Sequence, residues 1–283
     1  MPCFLHQPCG QELPIVLDSP HSGRSYPEDF RFSAPRSWVR LAEDTYVEEL
    51  YSGAPEIGAT LIEARFPRSY IDPNRDLQDL DEALLAEPWP LSLQRGPKTA
   101  LGVGLVWKLV RDSAGNAIPL YDRMLSVAEV QRRIALCYVP YHAAVQEALD
   151  RAHSRFGAAW HINCHSMQSV GDALSSDPGR ERADFVLGDR DATTCAPAFT
   201  AFVSATLAAK GYRVAINDPF KGVELVKKHG RPTEGRHSLQ IEINRKLYMD
   251  EKTLEKHAGF DRLHRDLNEF LHQLAAFVRT QSR

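Results

Sequence analysis

Three residues with catalytic or metal-binding side chains, His21, His165 and Glu242, stand at segments that have the pattern of buried strands. His21 follows the apolar run PIVL in a loop between Pro20 and Gly23, where the chain is exposed and its geometry restricted. Ligand sites of open α/β sheets lie beyond the carboxyl ends of strands. Taken alone, a loop histidine is more often a surface side chain, so the other two residues decide its interpretation.

The segment WHINC, which ends at His165, carries a row of polar groups. Period-two alternation places His161, Asn163 and His165 on one side of a strand, where apolar residues would be expected. Such a row needs hydrogen-bond partners or a metal ion when it is buried. The alternative is a histidine that is simply hydrogen-bonded at a strand end.

Glu242 lies in LQIEIN, where alternation separates three apolar side chains from Gln240, Glu242 and Asn244. Beside a zinc ion, a glutamate accepts the proton of the attacking water and passes it to the leaving amine. The alternative is an edge-strand carboxylate that pairs with Arg245 or Arg236.

Two neutral histidines need at least one more protein ligand, with a further position open for water. Asp44 and Glu48 are the candidates, on a helix predicted from Trp38 to Tyr51. They are four residues apart and share one face of such a helix, so spacing does not choose between them.

The turn YIDPNRDL sets Arg75 between two aspartates, far from any basic run. An arginine fixed in a turn offers a planar fork that binds a substrate carboxylate through two parallel hydrogen bonds. Asn74 could donate a further bond, with Asp72 or Asp76 orienting the guanidinium. The alternative is a structural arginine tied to those aspartates.

The remaining pattern alternates strands with helices, which predicts an α/β fold with a mixed, mostly parallel central sheet and helices on both faces. The region 77–119 is too long and irregular for a simple connection, and residues 88–104 in it are a candidate lid. No glycine-rich phosphate-binding motif follows a strand. The predicted strands are 14–17, 58–69, 159–167, 183–189, 212–218 and 236–250. The predicted helices are 38–51, 126–157 (with a capping box at Ser126 and Glu129 and a bend at Pro140), 198–211 and 251–279.

Composition limits the function classes. The chain has 283 residues, a net charge of -3 and 43% hydrophobic residues, and we expect one domain spanning residues 1–283. Scattered lysines and arginines argue against a nucleic-acid partner, and no apolar stretch approaches the ~20 residues of a membrane span. Five cysteines without CxxC spacing indicate reduced thiols, and a cytoplasmic location is the default expectation.

Six segments together resemble the N-formylglutamate amidohydrolase family, in order and length as well as wording. The family is similar to zinc carboxypeptidases and aspartoacylases, so the resemblance implies a mixed sheet sandwiched by helices and a zinc site. The segments are SPHSG, FPRSYIDPNRDL, CHSM, DFVLGDRD, GYRVAINDPFKGVELV and HSLQIEINRKLYMDE.

The resemblance also implies roles for individual residues. Zinc, or another divalent metal such as cobalt, would be bound by His21, His165 and an acid from the first helix, for which Asp44 is the choice. The carboxypeptidase pattern HxxE would place the acid at position 24, where this chain has Arg24. In the same way the clamp corresponds to Arg75 with Asn74, the catalytic acid to Glu242, and a second carboxylate contact to Arg68.

The implied reaction is zinc-dependent hydrolysis of N-formyl-L-glutamate to formate and L-glutamate in histidine degradation, with a small molecule as the partner. One alternative is a zinc carboxypeptidase or a deacylase of another N-acyl amino acid. A second, from a different class, is a non-catalytic protein that binds acyl amino acids on the same fold.

Overall fold

A computed structural model of the chain describes residues 2–112, 114–172 and 175–281. Within them, seven strands form one sheet in the spatial order β1-β3-β2-β6-β9-β7-β8, and β4 and β5 form a separate hairpin. The strands are β1 (Cys3–His6), β2 (Ile15–Ser19), β3 (Thr60–Ala64), β4 (Leu109–Arg111), β5 (Ala117–Pro119), β6 (Ala159–Met167), β7 (Phe185–Gly188), β8 (Val214–Ile216) and β9 (Arg236–Asn244).

The sheet is mixed and mostly parallel, as the sequence predicted. The pairs β3–β2, β2–β6, β6–β9 and β7–β8 are parallel, whereas β1–β3 and β9–β7 are antiparallel. The parallel strands β2, β6 and β9 form its centre, so their carboxyl ends lie side by side. The candidate residues lie at the ends of these strands or in the segments that adjoin this edge.

Helices pack on both faces of the sheet. They are α1 (Arg36–Arg40), α2 (Val47–Leu50), α3 (Pro97–Ala100), α4 (Val127–Arg133), α5 (Val139–Phe156), α6 (Pro197–Ala209), α7 (Glu224–His229) and α8 (Gly259–Gln281). One apolar core joins Leu17, Ile162 and Ile241 of the central strands to α6 and α8. A second core, on the other side, joins Val16 and Ile62 to α5 and to the irregular region that precedes α4.

The helix predicted over 38–51 is wrong as one continuous element. The structure has two short helices, α1 and α2, separated by a link in which Tyr46 has a positive φ of 70°. Hydrophobic spacing alone favours a helix there, but the backbone N–H of Asp44 donates to the carbonyl of His21 at 3.0 Å. This long-range bond belongs to the candidate site. The closing helix also begins at Gly259 rather than at 251, after a turn at 250–254.

The long helical segment before β6 keeps its predicted ends and becomes irregular just before Pro140, where the sequence predicted a bend. Its capping box is present, with Ser126 accepting from the backbone N–H of Glu129 at 3.1 Å, and Gly157 ends it in the left-handed region. A π-helical turn at Ile134–Tyr138 precedes α5, and Pro140 follows it in the first turn of α5. The irregular turn suits a following proline, because proline has no N–H for the regular α-helical bond and its ring clashes with the carbonyl of residue i−4.

Among the helices of the described ranges, we find none with the length and apolar character that crossing a membrane requires. All five cysteines are free thiols, as the sequence predicted.

The capping box generates a first prediction. Replacing Ser126 by alanine removes the side-chain acceptor at the start of α4, so we expect the free energy of unfolding to fall by about 1 kcal/mol. Urea denaturation followed by circular dichroism measures the change. Ser154→Ala, in an exposed position of α5, is the control and should leave stability nearly unchanged. Equal effects of both substitutions would contradict a role for the cap.

Candidate metal and substrate site

His21, Asp44 and His165 converge at the carboxyl edge of the central strands. One nitrogen or oxygen atom from each lies within 4.8 Å of the others, and all three residues are buried. The Nδ1 atom of His165 lies 3.0 Å from Oδ2 of Asp44, and Nδ1 of His21 lies 3.3 Å from the same oxygen. The structure therefore brings together the three side chains that the sequence proposed as a ligand set.

The arrangement fits a divalent cation. Nδ1 of His21 is buried and has no hydrogen-bond partner among the described residues, which costs about 1–3 kcal/mol unless another ligand satisfies it. Two imidazole nitrogens and one carboxylate oxygen are a donor set that zinc accepts while leaving a further position for water.

The far ring nitrogens of both histidines are held by hydrogen bonds. Nε2 of His21 donates to Oδ1 of Asp72 at 2.7 Å, and Nε2 of His165 donates to Oδ1 of Asn163 at 2.7 Å. Asn163 is oriented in turn by its Nδ2, which donates to the buried carboxylate of Asp18 at 2.9 Å. These acceptors favour a proton on each Nε2, which would leave the Nδ1 lone pairs free for a cation held between the two histidines and Asp44.

The two oxygens of Asp44 have separate partners. Oδ2 faces the histidines, whereas Oδ1 accepts from Nη2 of Arg245 at 2.9 Å and from Nη1 of Arg68 at 3.3 Å. Burial favours the neutral acid, but the positive charge of Arg68 opposes it, and the pKa of Asp44 is held well below its usual value. Asp44 is therefore an anion with one oxygen directed at the histidines.

Glu48, the other candidate ligand, lies outside this cluster. Its carboxylate pairs with Arg24, with Oε1 3.1 Å from Nη2. The two acids do not share a helix face because Asp44 lies in the link before α2. The geometry therefore favours Asp44 over Glu48 as the candidate ligand, a choice that sequence spacing alone left open.

Glu242 faces the same site from the neighbouring strand. β6 and β9 are in register so that His165 pairs with Glu242, and the two side chains lie on one face. Burial raises the pKa of Glu242, and the charge of Asp44 adds to that effect while His165 opposes it. A raised pKa suits a group that accepts and returns a proton near neutral pH.

The alternative partners that the sequence offered for Glu242 are engaged elsewhere. Arg245 pairs with Asp44, and Nη2 of Arg236 lies 2.8 Å from Oδ1 of Asp150. Glu242 itself accepts a hydrogen bond from Nε2 of Gln240 at 2.9 Å.

The predicted clamp residues adjoin the cluster through Asp72, not Asp76. Nη2 of Arg68 lies 3.1 Å and Nη2 of Arg75 lies 3.6 Å from Oδ2 of Asp72. Arg75 also donates from Nε to the carbonyl of Val103 at 3.1 Å. The guanidinium is thus fixed next to the ligand set and retains N–H groups for a substrate.

Asn74 contacts the site more directly than the sequence suggested. Its Nδ2 lies 3.1 Å from Nε2 of His165 and 3.4 Å from Oδ1 of Asn163, and its Oδ1 accepts from the backbone N–H of Leu225 at 2.9 Å. The amide therefore packs on the His165–Asn163 hydrogen bond and joins α7 to the site.

Sequence reasoning missed two residues of this site, Asp18 and Arg245. Asp18 accepts from His161 at 2.8 Å and from Tyr141 at 2.7 Å in addition to Asn163. Asp18 directly follows the predicted strand 14–17, and its position at the end of the apolar run PIVL was the available signal. The Arg245–Asp44 contact joins residues that are 201 positions apart, so no local pattern indicates it.

The Arg245–Asp44 pair generates a second prediction. Arg245→Met leaves a buried carboxylate with one cation fewer, and we expect a loss of about 3–5 kcal/mol in unfolding free energy. Arg236→Met is the matched control, because its pair with the half-exposed Asp150 contributes at most about 1 kcal/mol. Urea denaturation in the presence of a chelator measures both variants. Equal losses of unfolding free energy in the two variants would contradict a larger contribution from the buried Arg245–Asp44 pair.

Comparison with known proteins identifies the family of the chain. Residues 13–249 match the family model described as N-formylglutamate amidohydrolase. Curated N-formylglutamate deformylases of Pseudomonas aeruginosa and Pseudomonas putida are 29% and 27% identical to the chain, the first over 85% of this chain and 84% of its own length, the second over 84% and 83%.

Two solved structures share the fold. The crystal structure of an N-formylglutamate amidohydrolase from Ralstonia eutropha JMP134 is 51% identical, covers 99% of both chains and superposes with a TM-score of 0.93. A gene product of Agrobacterium tumefaciens, 20% identical over 99% of this chain and 95% of its own, has a TM-score of 0.65 and supports the fold alone.

Proposed function

The chain belongs to the N-formylglutamate amidohydrolase family, and from that premise we propose that it hydrolyses N-formyl-L-glutamate to formate and L-glutamate with a divalent metal ion. The observation that carries the proposal is the convergence of His21, Asp44 and His165, with an unpartnered buried nitrogen, directly beside Glu242. Zinc is our choice of metal, because two imidazoles and one carboxylate suit it. We place the reaction in histidine degradation, as the family resemblance implies.

The residues divide the work between metal, substrate and proton. His21, Asp44 and His165 would hold the cation, which when bound polarises a carbonyl oxygen and lowers the pKa of water. Glu242 takes the proton of the attacking water and delivers it to the amide nitrogen, whose bond to the formyl carbon breaks. Because Glu242 is buried, other water molecules have little access to its carboxylate.

Arg75 binds the substrate carboxylate nearest the scissile amide. It is connected through Asp72 to His21, so a carboxylate on Arg75 lies close to the ligand set. Arg68 adds donors on the same side, although it already contacts Asp44 and Asp72. Two fixed guanidinium groups orient the amide for attack, which lowers the entropy lost in the transition state.

Metal analysis together with formate release tests the proposed function. We expect about one zinc per chain, turnover of N-formyl-L-glutamate, and loss of turnover after chelation with recovery on adding the metal. Turnover confined to peptides would favour a carboxypeptidase. Binding of acyl amino acids without metal-dependent turnover of any of them would favour the non-catalytic alternative.

Glu242→Gln gives a third prediction. The amide keeps the size of the side chain but does not accept the proton, so kcat should fall by about 100- to 10,000-fold while the metal content stays unchanged. Glu234→Gln, an exposed glutamate just before β9, is the control and should retain activity. A Glu242→Gln enzyme with normal kcat would remove Glu242 from the mechanism.

Arg75→Ala gives a fourth prediction. We expect kcat/KM to fall by about 10- to 100-fold, because the carboxylate loses a charged donor, whereas zinc stoichiometry stays as in the wild type. Steady-state kinetics and elemental analysis of the same samples measure both quantities. Loss of the metal would instead identify Arg75 as a structural partner of Asp72.

A cytoplasmic location, a single domain and the absence of a nucleic-acid partner stay predictions. They follow from the composition and patterning of the chain.

A further inference from the structure

Lys98 is a partly buried cation close in the fold to Arg75, and it has no counterion among the residues that the structure describes. It lies in α3, within the irregular region before β4. Burial, together with the charges of Arg75 and Arg68, lowers the pKa of Lys98 to about 8, while Glu242 and Asp72 oppose the shift. The ammonium therefore lies within electrostatic reach of four groups of the proposed site.

The backbone around Lys98 fixes its position relative to Arg75. Asp79 holds the start of α3, because its Oδ1 accepts from the N–H of Gly96 at 2.8 Å and from the hydroxyl of Thr99. The carbonyl of Lys98 accepts from the N–H of Val103 at 2.9 Å, and the carbonyl of Val103 accepts from Arg75. The turn that carries Lys98 is therefore joined through Val103 to the guanidinium of Arg75.

The other cations near the site already have protein carboxylates. Arg68 and Arg245 contact Asp44, and Arg182 forms a bidentate pair with Asp177. Lys98 has neither an ion pair nor a side-chain hydrogen bond within the ranges that the structure describes. A desolvated ammonium next to two guanidinium groups is unfavourable unless a bound anion compensates it.

We propose that Lys98 binds the side-chain carboxylate of the substrate and makes the site selective for dicarboxylic N-acyl amino acids. The proposal rests on the hydrolysis proposed above. The main-chain carboxylate lies two bonds from the amide nitrogen and so belongs beside Arg75 and the ligand set. The side-chain carboxylate of glutamate extends several bonds farther, which matches a long, flexible side chain on the surrounding loop.

Arg68 is less suited to this carboxylate than Lys98. Three of its N–H groups already bond to Asp44 and Asp72, and its guanidinium packs over the ring of Trp107. Moving Arg68 toward a substrate would weaken the partners of a proposed metal ligand, whereas Lys98 has no such bonds to break.

The experiment compares N-formyl-L-glutamate with N-formyl-L-glutamine, which has nearly the same shape but a neutral amide in place of the side-chain carboxylate. Lys98→Met should lower kcat/KM for the glutamate compound by about 10- to 100-fold more than for the glutamine compound. Lys98→Arg should retain most of the preference. Lys108→Met is the control, because Lys108 pairs with Asp81 at 3.2 Å and is not part of the proposed site.

A binding measurement separates this proposal from the proposed function. Calorimetric titration of wild type and Lys98→Met with L-glutamate and L-glutamine needs no turnover, and the wild type alone should prefer glutamate. If that preference is seen without formate release, the hydrolysis fails and the role of Lys98 stands. A preference that is unchanged in Lys98→Met, or an equal loss for both ligands, would overturn the role of Lys98.

Discussion

The site depends on one buried carboxylate, that of Asp44, whose two oxygens serve different groups. Oδ1 accepts from Arg245 and Arg68, and Oδ2 faces the Nδ1 atoms of both candidate histidine ligands. Burying an ion is costly unless it is paired and hydrogen-bonded, and here the two arginines offset the cost while leaving Oδ2 available. The link between α1 and α2 places the Asp44 carboxylate at the sheet edge, where the bond from the N–H of Asp44 to the carbonyl of His21 holds it.

The central sheet gives the remaining groups their geometry. Two neighbouring parallel strands, β6 and β9, place His165 and Glu242 opposite one another, so the proposed metal ligand and the proposed base need no flexible loop to meet. Apolar side chains on the other face of the same strands, including Ile162 and Ile241, pack against α6 and α8. Alternation along two strands therefore supplies a rigid core on one side and a reactive polar surface on the other.

The sequence predicted those parts of the site that depend on local periodicity or on the family pattern. Alternation placed His165 and Glu242 on polar strand faces, and the structure agrees. The same kind of reasoning failed at Asp44, where helical spacing predicted one continuous helix but long-range contacts impose a break at Tyr46. Arg245 was missed for the related reason that its contact with Asp44 joins distant segments of the chain. Tertiary interactions of this kind leave no periodic signal.

The two histidines are held from behind by different groups, His21 by the carboxylate of Asp72 and His165 by the amide of Asn163, yet both bonds leave Nδ1 directed at Asp44. Metal binding through Nδ1 of both residues is the central claim. A crystal structure of the zinc-loaded protein, with anomalous data at the zinc edge, tests it most directly. The account predicts one peak in contact with Nδ1 of His21, Nδ1 of His165 and Oδ2 of Asp44, next to Glu242. A peak at other residues, or ligation through Nε2 after the Asp72 and Asn163 bonds have broken, would contradict it.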